Sequence, residues 1–239
     1  MTTADTTLPV IETPLRNGEA GRLCVQRLVG RHGLTATLYH ADCLDVLPLE
    51  ADAVVTDPPY GIAFKHSGVG GLTPSRKDTI IGDDKPFDPA PWLDYPIVVM
   101  WGADHYAHRL PEGRWLVWDK LGGRDAFGDS FSDAEVAWAN RKGAMRIHRR
   151  MWKGTLREGI DRAEKRHHVS QKPVELMAWC LEQLSVPAGA TVLDPYMGSG
   201  STGLACLRTG RNFIGIERDA AHYKTACDRI AHELDGALL

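Results

Sequence analysis

The stretch Thr191-Val192-Leu193-Asp194-Pro195-Tyr196-Met197-Gly198-Ser199-Gly200-Ser201-Thr202-Gly203 decides the fold. A short apolar run ending in an acid reads as a buried strand, and the proline after it cannot extend the ladder. The glycines let the backbone turn tightly and approach a ligand, and the helix expected over 201–208 opens with free N–H groups. The same alternation continues on both sides. Residues 213–217 (FIGIE) read as a strand and 220–234 as a helix that buries Tyr223, Cys227, Ile230 and Leu234. Upstream, Pro173 opens a helix with Val174, Met177, Leu181 and Leu184 on one face. Further strands are expected at 33–40, 52–57, 95–100, 114–118, 134–140 and 144–150, with short helical turns at 41–47 and 103–110. Strands alternating with helices predict an α/β protein: a doubly wound, mostly parallel sheet in a single domain over 21–239. Residues 1–20 lack apolar periodicity and are expected to form a disordered arm.

A second acid-ended strand carries the chemistry. Ala53-Val54-Val55-Thr56 runs into Asp57-Pro58-Pro59-Tyr60, where two prolines forbid further ladder pairing and preset the carbonyl directions. An acid, a fixed carbonyl and an aromatic ring are thereby gathered at the carboxyl end of a strand, where open α/β sheets place their sites. Such a cluster suits an exocyclic amino group: two acceptors for its hydrogens and a ring face for its heterocycle. The bland alternative is a proline-rich turn with a capping aspartate. Residues 61–84, rich in glycine and polar side chains, form a long connection of the kind that serves as a lid, with Lys65, His66, Arg76 and Lys77 available for phosphate.

With 239 residues, 43% of them hydrophobic and 25% charged, the chain has the size and composition of one well-buried domain. No apolar run approaches the roughly 18 residues of a membrane span, and MTTADTTLPVIETP lacks the features of a signal peptide. Five cysteines with no CxxC pair are expected to be reduced thiols in a cytoplasmic protein, without a disulfide framework or metal site. The net charge of −3 hides an asymmetry. Residues 141–168 hold ten Lys/Arg against three acids, a local +7, while the rest carries −10. Trp152 and three histidines lie in this basic run, a combination suited to phosphates and stacked bases.

Gly198, Gly200 and Gly203 satisfy GxGxxG, which raises an NAD-dependent oxidoreductase, with Glu217 ending the next strand where ribose hydroxyls are bound. Asp194 lies four residues ahead of those glycines, where its charge repels a pyrophosphate. A ligand with a cationic amino-acid moiety and a ribose but no phosphate fits better, and S-adenosylmethionine is such a ligand. Four motifs together, DPPY at 57–60, HHVSQKPVEL at 167–176, DPYMGSGST at 194–202 and FIGIERD at 213–219, resemble the DNA amino-methyltransferases. ADCLDVL at 41–47, WGADHY at 101–106 and WDKLGGRDAFGDSF at 118–131 extend the resemblance to about 35–235. Catalytic motif first and cofactor glycines last is the order of the permuted β group.

The resemblance implies a Rossmann-like fold and methyl transfer from S-adenosylmethionine to adenine N6 or cytosine N4, the aspartate-led DPPY favouring adenine. It implies that Asp57 and the Pro58 carbonyl, fixed by Pro59, accept hydrogen bonds from the target amino group while Tyr60 stacks on a base extruded from double-stranded DNA. Asp194 and the turn of Tyr196, Met197, Gly198, Ser199, Gly200, Ser201 and Thr202 are expected to hold the methionine end of the cofactor, beside Asp57. Glu217 with Arg218 takes the ribose, Asp42 and Cys43 the adenine, and Ser170, Gln171, Lys172 and Pro173 the far wall. Lys65, Lys120, Arg146, Arg149, Arg150 and Lys153 are the expected DNA contacts, in a contact segment at about 120–168. That segment is short for target recognition, so readout is short, relaxed or shared between the subunits of a homodimer. The resemblance also implies a place in restriction–modification.

Overall fold

The computed structural model describes residues 10–14, 20–30, 33–63, 81–125, 132–153, 156–157 and 171–235. Its centre is five mutually parallel strands: β3 (Thr35–His40), β12 (Asn212–Glu217), β11 (Thr191–Asp194), β4 (Ala53–Thr56) and β5 (Ile97–Trp101), side by side in that order. Beyond β5 the sheet turns antiparallel through β7 (Ala134–Ala139), which pairs with β6 (Arg114–Asp119); β8 (Arg146–Arg149) then runs parallel to β6 at the edge. At the other edge β2 (Ala20–Val29) pairs antiparallel with β3, and β1 (Val10–Pro14) with β2. The amino-terminal arm expected over 1–20 is therefore corrected: 10–14 and 20–29 extend the sheet, because the open edge of β3 offers unpaired backbone groups that no sequence pattern announces.

Every residue of β4 is buried, and neighbours along it face opposite sides. Ala53 and Val55 belong to the core cluster that α2 (Val174–Gln183), α3 (Ser201–Arg208) and α4 (Ala220–Leu234) also line, with Val192, Leu204, Phe213 and Ile230. Val54 instead joins Leu193, Met100, Trp92, Phe87 and Tyr106. Among the described residues, that second face is covered by the four-residue α1 (Cys43–Val46) and by two 3-10 segments, Ala90–Trp92 and Ala103–Arg109, rather than by full helices. The helix expected at 103–110 is one of these, broken at Tyr106, whose phenol donates to the Trp101 carbonyl at 2.6 Å. Pro173 sits just outside its helix, in the extended conformation of a cap. All five cysteines are free thiols, four of them buried. No described helix is long and apolar enough to cross a membrane.

The site follows from the strand order. β11 continues through α3 to β12 on one side, whereas β4 continues toward β5 on the other, and β11 and β4 are neighbours. Where adjacent parallel strands send their connections apart, a crevice opens beyond their carboxyl ends. Asp194 and Asp57 stand on either side of it.

Candidate active site

At the end of β4, Asp57 is enclosed by three elements. Its Oδ1 accepts a hydrogen bond from the Tyr60 phenol at 2.6 Å, and its Oδ2 accepts one from the Lys172 ammonium at 2.7 Å. The same ammonium lies 3.1 Å from Tyr60 Oη and forms an ion pair with Glu135 Oε2 at 2.9 Å. Glu135 Oε1 in turn holds Lys120 at 2.8 Å. Burial pushes the Asp57 carboxyl above its ordinary value, with Lys172 working against that rise. Burial also disfavours a charged Lys172, but Asp57 and Glu135 outweigh it and raise its pKa. For Glu135 burial loses to Lys172 and Lys120, which hold the carboxyl down at about 2. A carboxylate kept beside a fully paired ammonium can accept further N–H donors without itself needing a proton.

Tyr60 is held as firmly as Asp57. Its ring stacks on His105 with centroids 5.0 Å apart, and it lies across Gly102, where any β-carbon would fall inside the ring. Gly102 also has φ +67°, so the turn after β5 needs glycine for both reasons. Downstream of Tyr60, the Asp83 carboxylate accepts the N–H groups of Gly61 at 2.8 Å and Ile62 at 3.3 Å. A cavity of about 330 Å³ opens beside Tyr60, with Ile62, Phe87, His105 and Tyr106 among its walls. The expected lid cations Lys65, His66, Arg76 and Lys77 lie outside the described residues, as does Ser170.

The second acid is held differently. Asp194 accepts the Thr56 and Thr202 hydroxyls, each at 2.6 Å, and the Tyr196 N–H at 3.1 Å. Burial raises its pKa to about 6 against the pull of those donors. Its oxygens face the turn itself, so Asp194 shapes the glycine loop and, through Thr56, ties it to the strand that carries Asp57. Gly203 closes the motif by packing: a β-carbon there would collide with Ile230 and Phe213. Gly198 (φ +52°) and Gly200 (φ +86°) supply left-handed turns, and Ser201 Oγ at the start of α3 is buried without a hydrogen-bond partner. Glu217 accepts the N–H groups of Gly198 at 3.0 Å and Asp219 at 2.7 Å, which leaves carboxylate lone pairs for further donors. Met197 is buried, and Arg229 donates to the Ser199 carbonyl at 2.6 Å.

Asp42 caps α1 through the Leu44 N–H and faces Arg218 at 3.3 Å. Buried Cys43 adjoins the Tyr196 phenol, and burial pushes its thiol up to about 12. Gln171 and Pro173 are buried with Lys172. Lys172 differs from its expected place: it binds Asp57 directly rather than only walling the pocket. Three expected DNA contacts are corrected. Arg150 and Lys153 are buried, paired with Glu175 and with Asp133, and Lys120 is spent on Glu135. Arg146 and Arg149 are exposed, Arg149 with 61% of its side chain free and 3.6 Å from Asp119. Glu135 was not among the expected site residues. Its signal was a single acid in the otherwise apolar strand AEVAWA.

A family model described as DNA methylase, of the N6/N4 type, matches residues 130–228. The chain is 27% identical over 214 residues to YubD of Escherichia coli (strain K12), a protein named as a methylase, covering 80% of this chain and 88% of that one. Over these stretches the chain is similar to the N6/N4 DNA methylases. Two solved DNA methylase structures share the fold. M1.HpyAVI, solved as a complex with SAM, superposes with a TM-score of 0.52 at 24% identity, covering 82% of this chain and 98% of that one. The cytosine-N4-specific PvuII DNA methyltransferase does so with a TM-score of 0.50 at 15% identity, covering 85% and 88%. The match to the DNA methylase model takes in β7 with Glu135, Lys172 and the glycine turn, while Asp57 lies upstream of it.

Proposed function

We propose that this DNA methyltransferase transfers a methyl group from S-adenosylmethionine to adenine N6 in DNA. The observation that carries the reading is the Asp57–Lys172–Tyr60 cluster at the crevice, joined through Thr56 and Asp194 to the glycine turn. The residues present fit the cofactor: an unpartnered buried Ser201 hydroxyl, glycines that keep the turn clear, and a Glu217 carboxylate with lone pairs to spare. When bound, S-adenosylmethionine supplies a methyl group already activated on a sulfonium.

The chain's own residues do the rest. Asp57 and the Pro58 carbonyl accept the two N–H hydrogens of the target amino group, which favours a more tetrahedral nitrogen and frees its lone pair. Positioning for in-line attack is then the main demand. A base stacked in duplex cannot reach Asp57, so it is flipped out at a cost of a few kcal/mol. Stacking on Tyr60 offsets roughly 1–3 kcal/mol of that. The aromatic cavity beside Tyr60 lies at the small end of ligand-site volumes, a size suited to one heterocycle. Arg146 and Arg149 on the edge strand β8 are the described cations best placed for phosphate.

The aspartate-led DPPY supports adenine over cytosine within the family it resembles; cytosine N4 offers the same amino chemistry and is the second reading, favoured by the fold shared with a cytosine-N4 enzyme. Incubation of unmethylated phage DNA with isotope-labelled S-adenosylmethionine, then nucleoside mass spectrometry, tests both. N6-methyladenine is the expected product. Label in cytosine alone overturns the base assignment, and unlabelled DNA overturns the reading.

A further inference from the structure

We propose that Glu135 is a positioning residue for the transfer: it draws the Lys172 ammonium toward β7, so that Asp57 keeps acceptor capacity for the target amino group. The inference rests on the reading of Asp57 as that acceptor.

The topology explains how residue 135 reaches residue 57. β7 runs antiparallel to β5, with Trp101 opposite Ala137, so the first residues of β7 lie beside the carboxyl end of β5. β5 in turn is the parallel neighbour of β4. An acid at the start of β7 therefore comes to the same edge as an acid at the end of β4, with Lys172, from the start of α2, between them.

The charges alternate along one line: Lys120, Glu135, Lys172, Asp57. Two cations and two acids sum to zero, the arrangement that burial demands of ionised groups. Lys172 is only 5% exposed; its ammonium donates to Asp57 Oδ2 at 2.7 Å and to Tyr60 Oη at 3.1 Å, and forms an ion pair with Glu135 Oε2 at 2.9 Å. With the Glu135 charge removed, the ammonium, already 2.7 Å from Asp57 Oδ2, has that one carboxylate left and turns toward its second oxygen as well. It then competes with the amino group of the base for the oxygens that group needs. Lys120 holds Glu135 in place from behind.

The test compares wild type with Glu135→Gln, which keeps the size and an acceptor oxygen but not the charge, and with Glu135→Asp. Transfer to unmethylated phage DNA is measured across pH, alongside calorimetry of S-adenosylmethionine binding and a crystal structure of each protein. For Glu135→Gln the expectation is a kcat lower by about 10- to 100-fold, the scale of a displaced reacting group, with KM for DNA and cofactor affinity within about threefold. Glu135→Asp recovers part of the loss. The groups facing Asp57 are Lys172, Glu135, Tyr60, Tyr106 and Asp194; deleting one of the negative ones shifts the acid limb of kcat to lower pH. In the crystal, Lys172 Nζ leaves residue 135 and contacts both Asp57 oxygens. An unchanged kcat, or a loss matched by weaker cofactor binding with an unmoved acid limb, overturns the proposal. Wild type that leaves DNA unmethylated overturns the reading of the function instead. The crystal structures then decide the positioning, and an unmoved Lys172 overturns it.

Discussion

Two aspartates end two neighbouring strands, and their partners set them apart. Asp194 is held by two threonine hydroxyls and a backbone N–H, all neutral donors, two from the loop it shapes and one, Thr56, from β4. Asp57 is held by the phenol of its own turn and by an ammonium 115 positions away in the chain, within a line of four charges. Neutral donors satisfy a carboxylate and fix a loop without creating a field. An ion pair in a crevice creates one, and a field is what a reacting amino group feels. The first acid builds the glycine turn, and the second is the one proposed to meet the substrate.

Removing Asp57 should have the largest effect. Asp57→Ala is expected to reduce methyl transfer to background while calorimetry still detects S-adenosylmethionine binding, because the glycine turn relies on Asp194. Undiminished transfer would erase the distinction between the two acids.

A sharper test uses pH. Asp194 titrates at about 6 in the folded protein against an ordinary 3.8, so its contribution to stability is present below 3.8 and lost as pH rises through about 6. Glu135 has the opposite sign: held at about 2 against 4.5, it contributes above 4.5 and loses that contribution as pH falls through 2. Denaturant unfolding should therefore show wild type losing ground to Asp194→Asn as pH rises from 3.8 to about 6, and losing ground to Glu135→Gln as pH falls below 4.5. Trends of the same sign would show that the two acids are not held by different kinds of partner.

The smallest effect separates exposed from buried cations. Arg146→Gln and Arg149→Gln should each lower the slope of log affinity against log salt by about 1. Lys153→Gln should leave that slope unchanged and lower stability, since it strips the partner from Asp133. A changed slope for Lys153 would return it to the DNA face.

Much of this was legible before the fold. Ser201–Arg208 and Ala220–Leu234 form helices as their apolar spacing predicts, and β11 ends at Asp194 and β4 one residue before Asp57 because proline follows each acid. The basic run was legible as charge but not as surface. Arg150 and Lys153 resemble Arg149 in sequence, but the fold buries them against Glu175 of α2 and Asp133 ahead of β7 and leaves Arg149 exposed, a difference no local pattern announces.

The sequence by itself determined the parts that local chemistry dictates: two acid-ended strands, the glycine turn, and the aspartate and tyrosine bracketing two prolines. Residues close in the chain constrain one another's backbone directly, so these need no partner to be read. Only the tertiary structure decided that β4 and β11 are neighbours with diverging connections, and that Lys120, Glu135 and Lys172 line up behind Asp57. Lys172 and Asp57 lie 115 positions apart, and the field they create depends on ångström distances that only the order of strands in the sheet sets.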